Sequence, residues 1–445
     1  HLVAAQAMPS QTPTASQQQS SSSPAASSPG MDMQGAHSSG MSMSGMSMEM
    51  HSDNLLEEIE HHGSSGTSAQ PDSTPAPMLM TSRGNWMLML HGEAFLNALQ
   101  QSGPRGDDKL FSTNWIMPMA QRKFQGSGTL TFRAMLSLEP ATVTHRFYPE
   151  LFQQGETAYD KPIADGQHPH DFLMELAALY DQRIGEHTLL SFYAAPVGDP
   201  AMGPTAYAHR ASASEDPMAA LGHHLEDSTH IADDVITVGI THRAVRLEAS
   251  GFHGREPDEH RWDLDSGKID SWSARLTANP GRNWSLQSSL ARLSSPEALH
   301  PGEDIRRITA SLMYNRPLHE GNWATTLLWG RNRSLSTNTI SNAYLAESTL
   351  RFCTQNYLWG RIENVDRSNE LLLGNNYEPA GFEERIIGRV QAYTAGYDRD
   401  LDLVPHLVTA LGAQMTWYGV PESLKTMYGQ HPVGALIFIR IRPQR

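Results

Sequence analysis

From about residue 84 to residue 442 the chain repeats one pattern: runs, mostly of ten to fourteen residues, that alternate with period two, joined by links whose lengths also alternate. "TLTFRAMLSLE" (Thr129 to Glu139) sets Leu130, Phe132, Ala134, Leu136 and Leu138 on one side, opposite Thr131, Arg133, Ser137 and Glu139. "SWSARLTA" sets Trp272, Ala274, Leu276 and Ala278 against Ser273, Arg275 and Thr277. Helical spacing, three or four residues, fits neither; period two predicts half-polar strands. Sixteen such runs can be counted, near 84–98, 109–120, 126–139, 170–181, 186–195, 231–241, 243–253, 270–279, 282–293, 305–316, 322–332, 342–353, 355–366, 385–398, 404–418 and 432–442. They exceed the five or six residues usual in soluble sheets, and about 9–11 tilted residues cross a bilayer.

The links sharpen this. Short ones ("QRKFQ", "QRIG", "NP", "DRDLD") follow the second run and then every second run. The others reach about 30 residues after the third run and 35 after the fifth, then 16 and 9 to 18. A soluble sandwich has no reason to sort its loops by parity. A membrane barrel with tight turns at one face and long loops at the other does. The expected fold is all-β: a transmembrane antiparallel up-and-down β-barrel of about sixteen strands (fourteen to eighteen) after a disordered tail. Trp86, Trp115, Trp272, Trp284, Trp323, Trp329, Tyr357, Trp359 and Tyr397 stand where interfacial girdles are expected. The opposite face carries Arg133, Asp171, Glu175, Arg246, Glu248, Arg275, Glu347, Arg351 and Arg389, charges of both signs that suit a wet or cross-braced lumen. Residues 80 to 442 therefore resemble the outer-membrane β-barrels of bacteria with a double envelope. That resemblance implies an outer-membrane location, lipid contact, and the homotrimeric assembly that large porins adopt.

Composition agrees. Only 39% of the chain is hydrophobic, and no run of eighteen apolar residues could form a spanning helix. The single cysteine, Cys353, allows no internal disulfide, and a formal charge of −15 without a basic cluster argues against nucleic acid. "LVAAQA" ends in the small-x-small pattern of a signal peptidase site, so residues 1–7 are expected to be a signal-peptide remnant. Residues 8–77, rich in Ser, Gln, Pro and Gly, are expected to form a disordered periplasmic tail, with the barrel over 78–445. Within the tail "SDNLLEEIEHH" predicts a short helix capped by Ser52 or Asp53, with Leu55, Leu56 and Ile59 on one face.

The tail also holds the segment 31–51, with Met31, Met33, His37, Met41, Met43, Met46, Met48, Met50 and His51. Thioethers are soft, neutral ligands that suit Cu(I) and Ag(I), and i, i+2 pairs let two sulfurs of an extended chain meet one ion. Here the sequence resembles a narrower group, the outer-membrane copper-resistance protein B proteins, whose Met/His-rich tails precede a barrel. That resemblance implies copper binding, tolerance or export, with periplasmic copper proteins as partners. Two long loops add harder ligands: His168, His170 and Asp171 in "DGQHPHD", and His223, His224, Asp227 and His230 in "GHHLEDSTHIADD". They suit Cu(II) or Zn(II), or alternatively form a loop face that titrates near neutrality. No G-x-S-x-G, H-E-x-x-H or P-loop occurs, so no catalysis is expected. The alternatives are a general diffusion porin with an incidental tail and, from a different class, a barrel hydrolase using Ser228 with His230 and Asp227, or His170 with Asp171.

Overall fold

Strands that must face lipid on one side and water or polar groups on the other can close only on themselves, because an open edge leaves backbone groups unpaired in hydrocarbon. The computed structural model, which describes residues 47–50, 52–228, 232–404 and 407–443, closes in this way. Sixteen antiparallel strands form the wall: Trp86–Gln101, Asp108–Lys123, Gly128–Leu136, Leu173–Ile184, Thr188–Val197, Asp233–His242, Val245–His253, Ser271–Gly281, Trp284–Leu293, Ile305–Leu318, Gly321–Ser334, Ile340–Phe352, Asn356–Ser368, Ile386–Val404, Leu407–Gly419 and Val433–Pro443. Each of the sixteen expected runs becomes one of them. The seam joins the last strand to the first, from Gly434 opposite Gln101 to Ile441 opposite Ala94.

The wall is apolar outward and polar inward. Phe132 is 48% exposed while its neighbours Thr131 and Arg133 are 0% and 1% exposed. Ser273, Arg275 and Thr277 are likewise buried between outward-facing Trp272 and Leu276. This is the pattern of an outer-membrane barrel. Three of the expected girdle aromatics depart from it. Trp115 packs against His91 and His209, and Tyr357 and Trp359 are buried, whereas Trp272, Trp284, Trp323 and Tyr397 face outward. Arg389, expected in the lumen, is 41% exposed in its pair with Asp366. Register decides this: an aromatic or an arginine in a period-two strand faces whichever side its parity dictates.

The lumen is filled, and part of the filling was expected to be disordered tail. The helix Leu55–His61 forms with its apolar face as expected, but Asn54 caps it, accepting from the N–H groups of Leu56 and Glu57. Leu55, Leu56 and Ile59 are buried against Ala69 and the wall residue Leu189. Residues 62–75 then run through the lumen, held by wall side chains. Arg133 donates to the carbonyls of His62, Ser64 and Gly66. Arg275 donates to Thr67, Asn279 to the Gln70 carbonyl, and Asn315 to the Ser73 carbonyl. A composition without apolar residues reads as disorder only if the core is apolar. Here the surroundings are polar, and Ser/Gly-rich backbone satisfies them. The chain leaves through the strand Ala76–Arg83, which pairs with the start of Trp86–Gln101 at the short-turn end. On its other edge lies the strand Ser47–Met50.

Candidate metal centre

Two long loops fold inward and complete the plug, over 137–172 and, in the second, over its described residues 198–228. Arg210 pairs with Glu347 at 2.6 Å, and Arg361 and Arg367 donate to the carbonyls of Met218 and Leu221. The turn His223–Glu226 lies against the wall at Gly330, where a Cβ would stand only 2.2 Å from the Leu225 carbonyl oxygen. A side chain there would exclude the turn.

These loops bring Glu156, His168 and His224 together, all buried, with one ligand atom from each lying within 4.8 Å of the others. His168 Nε2 is 2.6 Å from Glu156 Oε1, and His224 Nε2 contacts the same oxygen. His168 Nδ1 is 2.7 Å from the Pro169 carbonyl, which can only accept, so Nδ1 carries the proton and Nε2 presents a lone pair. Glu156 Oε2 and His224 Nδ1 are buried without a hydrogen-bond partner among the described residues, the latter with the Glu256 carboxylate 3.9 Å away. Burial, with Arg261 nearby, holds His168 well below the usual imidazole range; burial beside Arg307 and Arg367 pushes His224 down to about 3. Both rings are therefore neutral, the form that ligates metal.

The His168 lone pair facing the Glu156 carboxylate is repulsive unless a cation lies between them, and His224 Nε2 faces the same oxygen, as a donor in one tautomer and as a second ligand in the other. Two imidazoles and a carboxylate form a borderline donor set that suits Zn(II) or Cu(II). On a tetrahedral ion with bonds near 2.0 Å the ligand atoms stand about 3.3 Å apart, so the trio needs only a small outward rotation of each side chain. A cavity of about 520 Å³ adjoins it on the long-loop side, lined by His224, Glu256, Glu297, His300 and Arg307 among others. Burial beside Glu297 pushes Glu256 up to about 8, and the hydrogen bond to Glu297 raises His300 to about 9.

Of the residues singled out in sequence, His168 and His224 converge. His170 is occupied between Glu139 (2.9 Å) and Tyr207 (3.1 Å), and His223 Nδ1 donates to the Ala220 carbonyl at 2.6 Å with its ring centre 3.9 Å from that of His224, tilted against it. Neither ring contributes to the trio. Asp171 pairs with Arg261 at 3.2 Å, and burial pushes its carboxyl up to about 6. Asp227 faces Arg210 at 3.8 Å. These carboxylates answer buried arginines, a stronger local demand than an ion farther off. Met31, Met33, His37, Met41, Met43, Met46, His51 and His230 lie outside the described residues, and Met48 and Met50 fall in the strand Ser47–Met50. Glu156 was not foreseen. It stands twelve residues before His168 in the same loop, in no motif.

No family model matches the chain, and no curated protein matches it. Among solved structures it is similar to the anion-selective porin of Comamonas acidovorans (10% identity over 80% of this chain and 99% of that one, TM-score 0.47). It is also similar to OprB of Pseudomonas putida (8%, 81% and 94%, TM-score 0.47) and to OmpF of Salmonella typhi, solved with daunomycin (9%, 82% and 99%, TM-score 0.46).

Proposed function

We propose that this outer-membrane barrel is a metal-handling protein whose plug binds Zn(II) or Cu(II) at Glu156, His168 and His224, and that it serves copper tolerance or export. The observation that carries the reading is the convergence of two neutral imidazoles on one carboxylate oxygen inside the plug. The Met/His segment 31–51 extends the reading: it would capture Cu(I) in the periplasm and deliver it to the barrel. Titration of the detergent-folded chain with Zn(II) and Cu(II) against a competing chelator tests it. One equivalent should bind, and Glu156→Gln or His168→Ala should weaken binding by about tenfold or more. Equal binding by the wild type and by the double variant His168→Ala/His224→Ala would overturn the reading.

A second reading is favoured by the strand count. Sixteen strands enclose room for a water-filled channel once nothing fills it, and the wall is lined by charge. In that case the protein is a diffusion channel gated by its plug. Excising residues 52–75 should then raise single-channel conductance in planar bilayers and leave metal binding to the intact chain without physiological effect. Unchanged conductance would sink the channel reading.

A further inference from the structure

In this charged lumen one patch, running from the short-turn end of the first strands to the long-loop ends of Gly128–Leu136 and Leu173–Ile184, is sulfur. Met78, Met89, Met117, Met119, Met135 and Met174 are buried against one another, with Met80 and Met87 at the edge. Eight of the chain's 21 methionines thus meet in one place. Their spacing is the cause. Met78/Met80, Met87/Met89 and Met117/Met119 are i, i+2 pairs on strands, so both members of each pair face the same side. Register aligns them across strands: Met80 opposite Met89, Met89 opposite Met119, and His91 opposite Met117.

Two imidazoles border the sulfur. His91 comes from the wall, and His209 comes from the loop over 198–228 with Nε2 3.3 Å from Met135 Sδ. Their ring centres are 5.4 Å apart, and Trp115 packs on both. His91 Nε2 and His209 Nδ1 are buried without a hydrogen-bond partner among the described residues. Methionine as mere filler of an irregular gap gives no reason for two unsatisfied imidazole nitrogens beside it. A cavity of about 140 Å³, lined in part by His61, His91, Trp115 and His209, borders the two imidazoles on the side away from the sulfur. The Met-rich segment of the tail ends here as well, since backbone pairing sets Met48 opposite Met78.

We infer that this patch is a second metal site, selective for a soft monovalent cation such as Cu(I) or Ag(I), held by the thioethers of Met89, Met117, Met119 and Met135 with His91 and His209 beside them. Neutral, polarisable sulfur binds such ions and takes hard divalent ions poorly. The site does not rest on the Glu156 trio, whose donors are harder and which stands on different residues.

The test uses the full chain, with the seven tail methionines 31, 33, 41, 43, 46, 48 and 50 changed to leucine to silence the tail, folded in detergent and labelled at the methionine methyl carbons. Titration with Ag(I) should shift the lumen methionine signals at one equivalent, and Zn(II) should shift none of them. Adding Met89→Leu, Met117→Leu and Met119→Leu, swaps that keep volume, should weaken Ag(I) binding by about tenfold or more. Absent Ag(I) shifts, or Ag(I) affinity unaltered by the three leucines, overturns the inference. Should the triple variant fail to fold, His209→Phe serves with the same readouts: weakened Ag(I) binding supports the site, and unchanged binding overturns it.

Discussion

Arg133 offers the sharpest test of how the plug is held. All five of its N–H groups are used. Nε and Nη2 grip Glu175 at 2.6 and 2.8 Å, while Nη1 and Nη2 reach the carbonyls of His62, Ser64 and Gly66 at 3.1, 2.6 and 2.5 Å. Arg133→Ala removes every one of these bonds and leaves Glu175 buried with Tyr193 and the Gly66 amide as its remaining partners. Breaking a buried ion pair from one side costs about 3–5 kcal/mol. Both groups are fully buried, so solvent screening does not reduce this. At about 1.4 kcal/mol per tenfold, the plug should open roughly a hundred- to a few-thousand-fold more often. The readout is amide hydrogen exchange over Ser64–Thr67, with far-UV circular dichroism to show that the barrel persists. Arg133→Lys keeps the charge without the fork and should fall between. Protection at Gly66 that drops by less than about tenfold in Arg133→Ala would refute the reasoning, since the pair's burial sets the magnitude.

Three further outcomes are expected. Gly330→Ala drives a methyl into the Leu225 carbonyl and should displace the turn His223–Glu226, weakening Zn(II) binding by about tenfold while the barrel stays folded, as titration and circular dichroism will show. His168 and His224 are both depressed below the ordinary imidazole value, so protons compete with metal only at lower pH. Zn(II) affinity should stay nearly level from about pH 7.5 to about pH 5.5, where exposed histidines near 6.5 would lose it; calorimetric titration at each pH decides. Asn54→Ala removes the cap of the helix Leu55–His61 and should cost that helix about 1 kcal/mol, read as roughly fivefold faster exchange of the Leu56 and Glu57 amides.

The wall was legible because lipid imposes one rule on every strand. An outward residue such as Phe132 or Leu276 must be apolar, its neighbours need not be, and the period survives each turn. The plug was not legible, for a matching reason. "GSSGTSAQPDST" has nothing that reads as a core, and only the polar wall of Arg133, Arg275, Asn279 and Asn315 makes order favourable there. Two of the metal trio, His168 and His224, could be seen as parts of histidine-rich loops. Which imidazoles converge depended on packing: Arg261 claimed Asp171, Glu139 and Tyr207 claimed His170, and Glu156 entered from a stretch without a motif. The lumen sulfur did leave a trace in "PMLMT", "WMLMLH" and "IMPMA". The i, i+2 spacing that marked the tail recurs in these strands, where period two turns it into a single face.

The way residues 62–75 are secured has a further consequence. Apart from the anchor of Leu55, Leu56 and Ile59, the contacts described above are mainly hydrogen bonds from wall side chains to backbone and hydroxyls. Each such bond can be traded for one to water at small net cost, because its partners are equally content when hydrated. A segment packed by oil-like contacts would resist withdrawal along its whole length. This one resists at a few points, the Leu55 anchor and the arginine forks, and once those yield the rest can be wetted and slide. The fold thus combines a wall that lipid makes hard to dismantle with an occupant that solvent can replace.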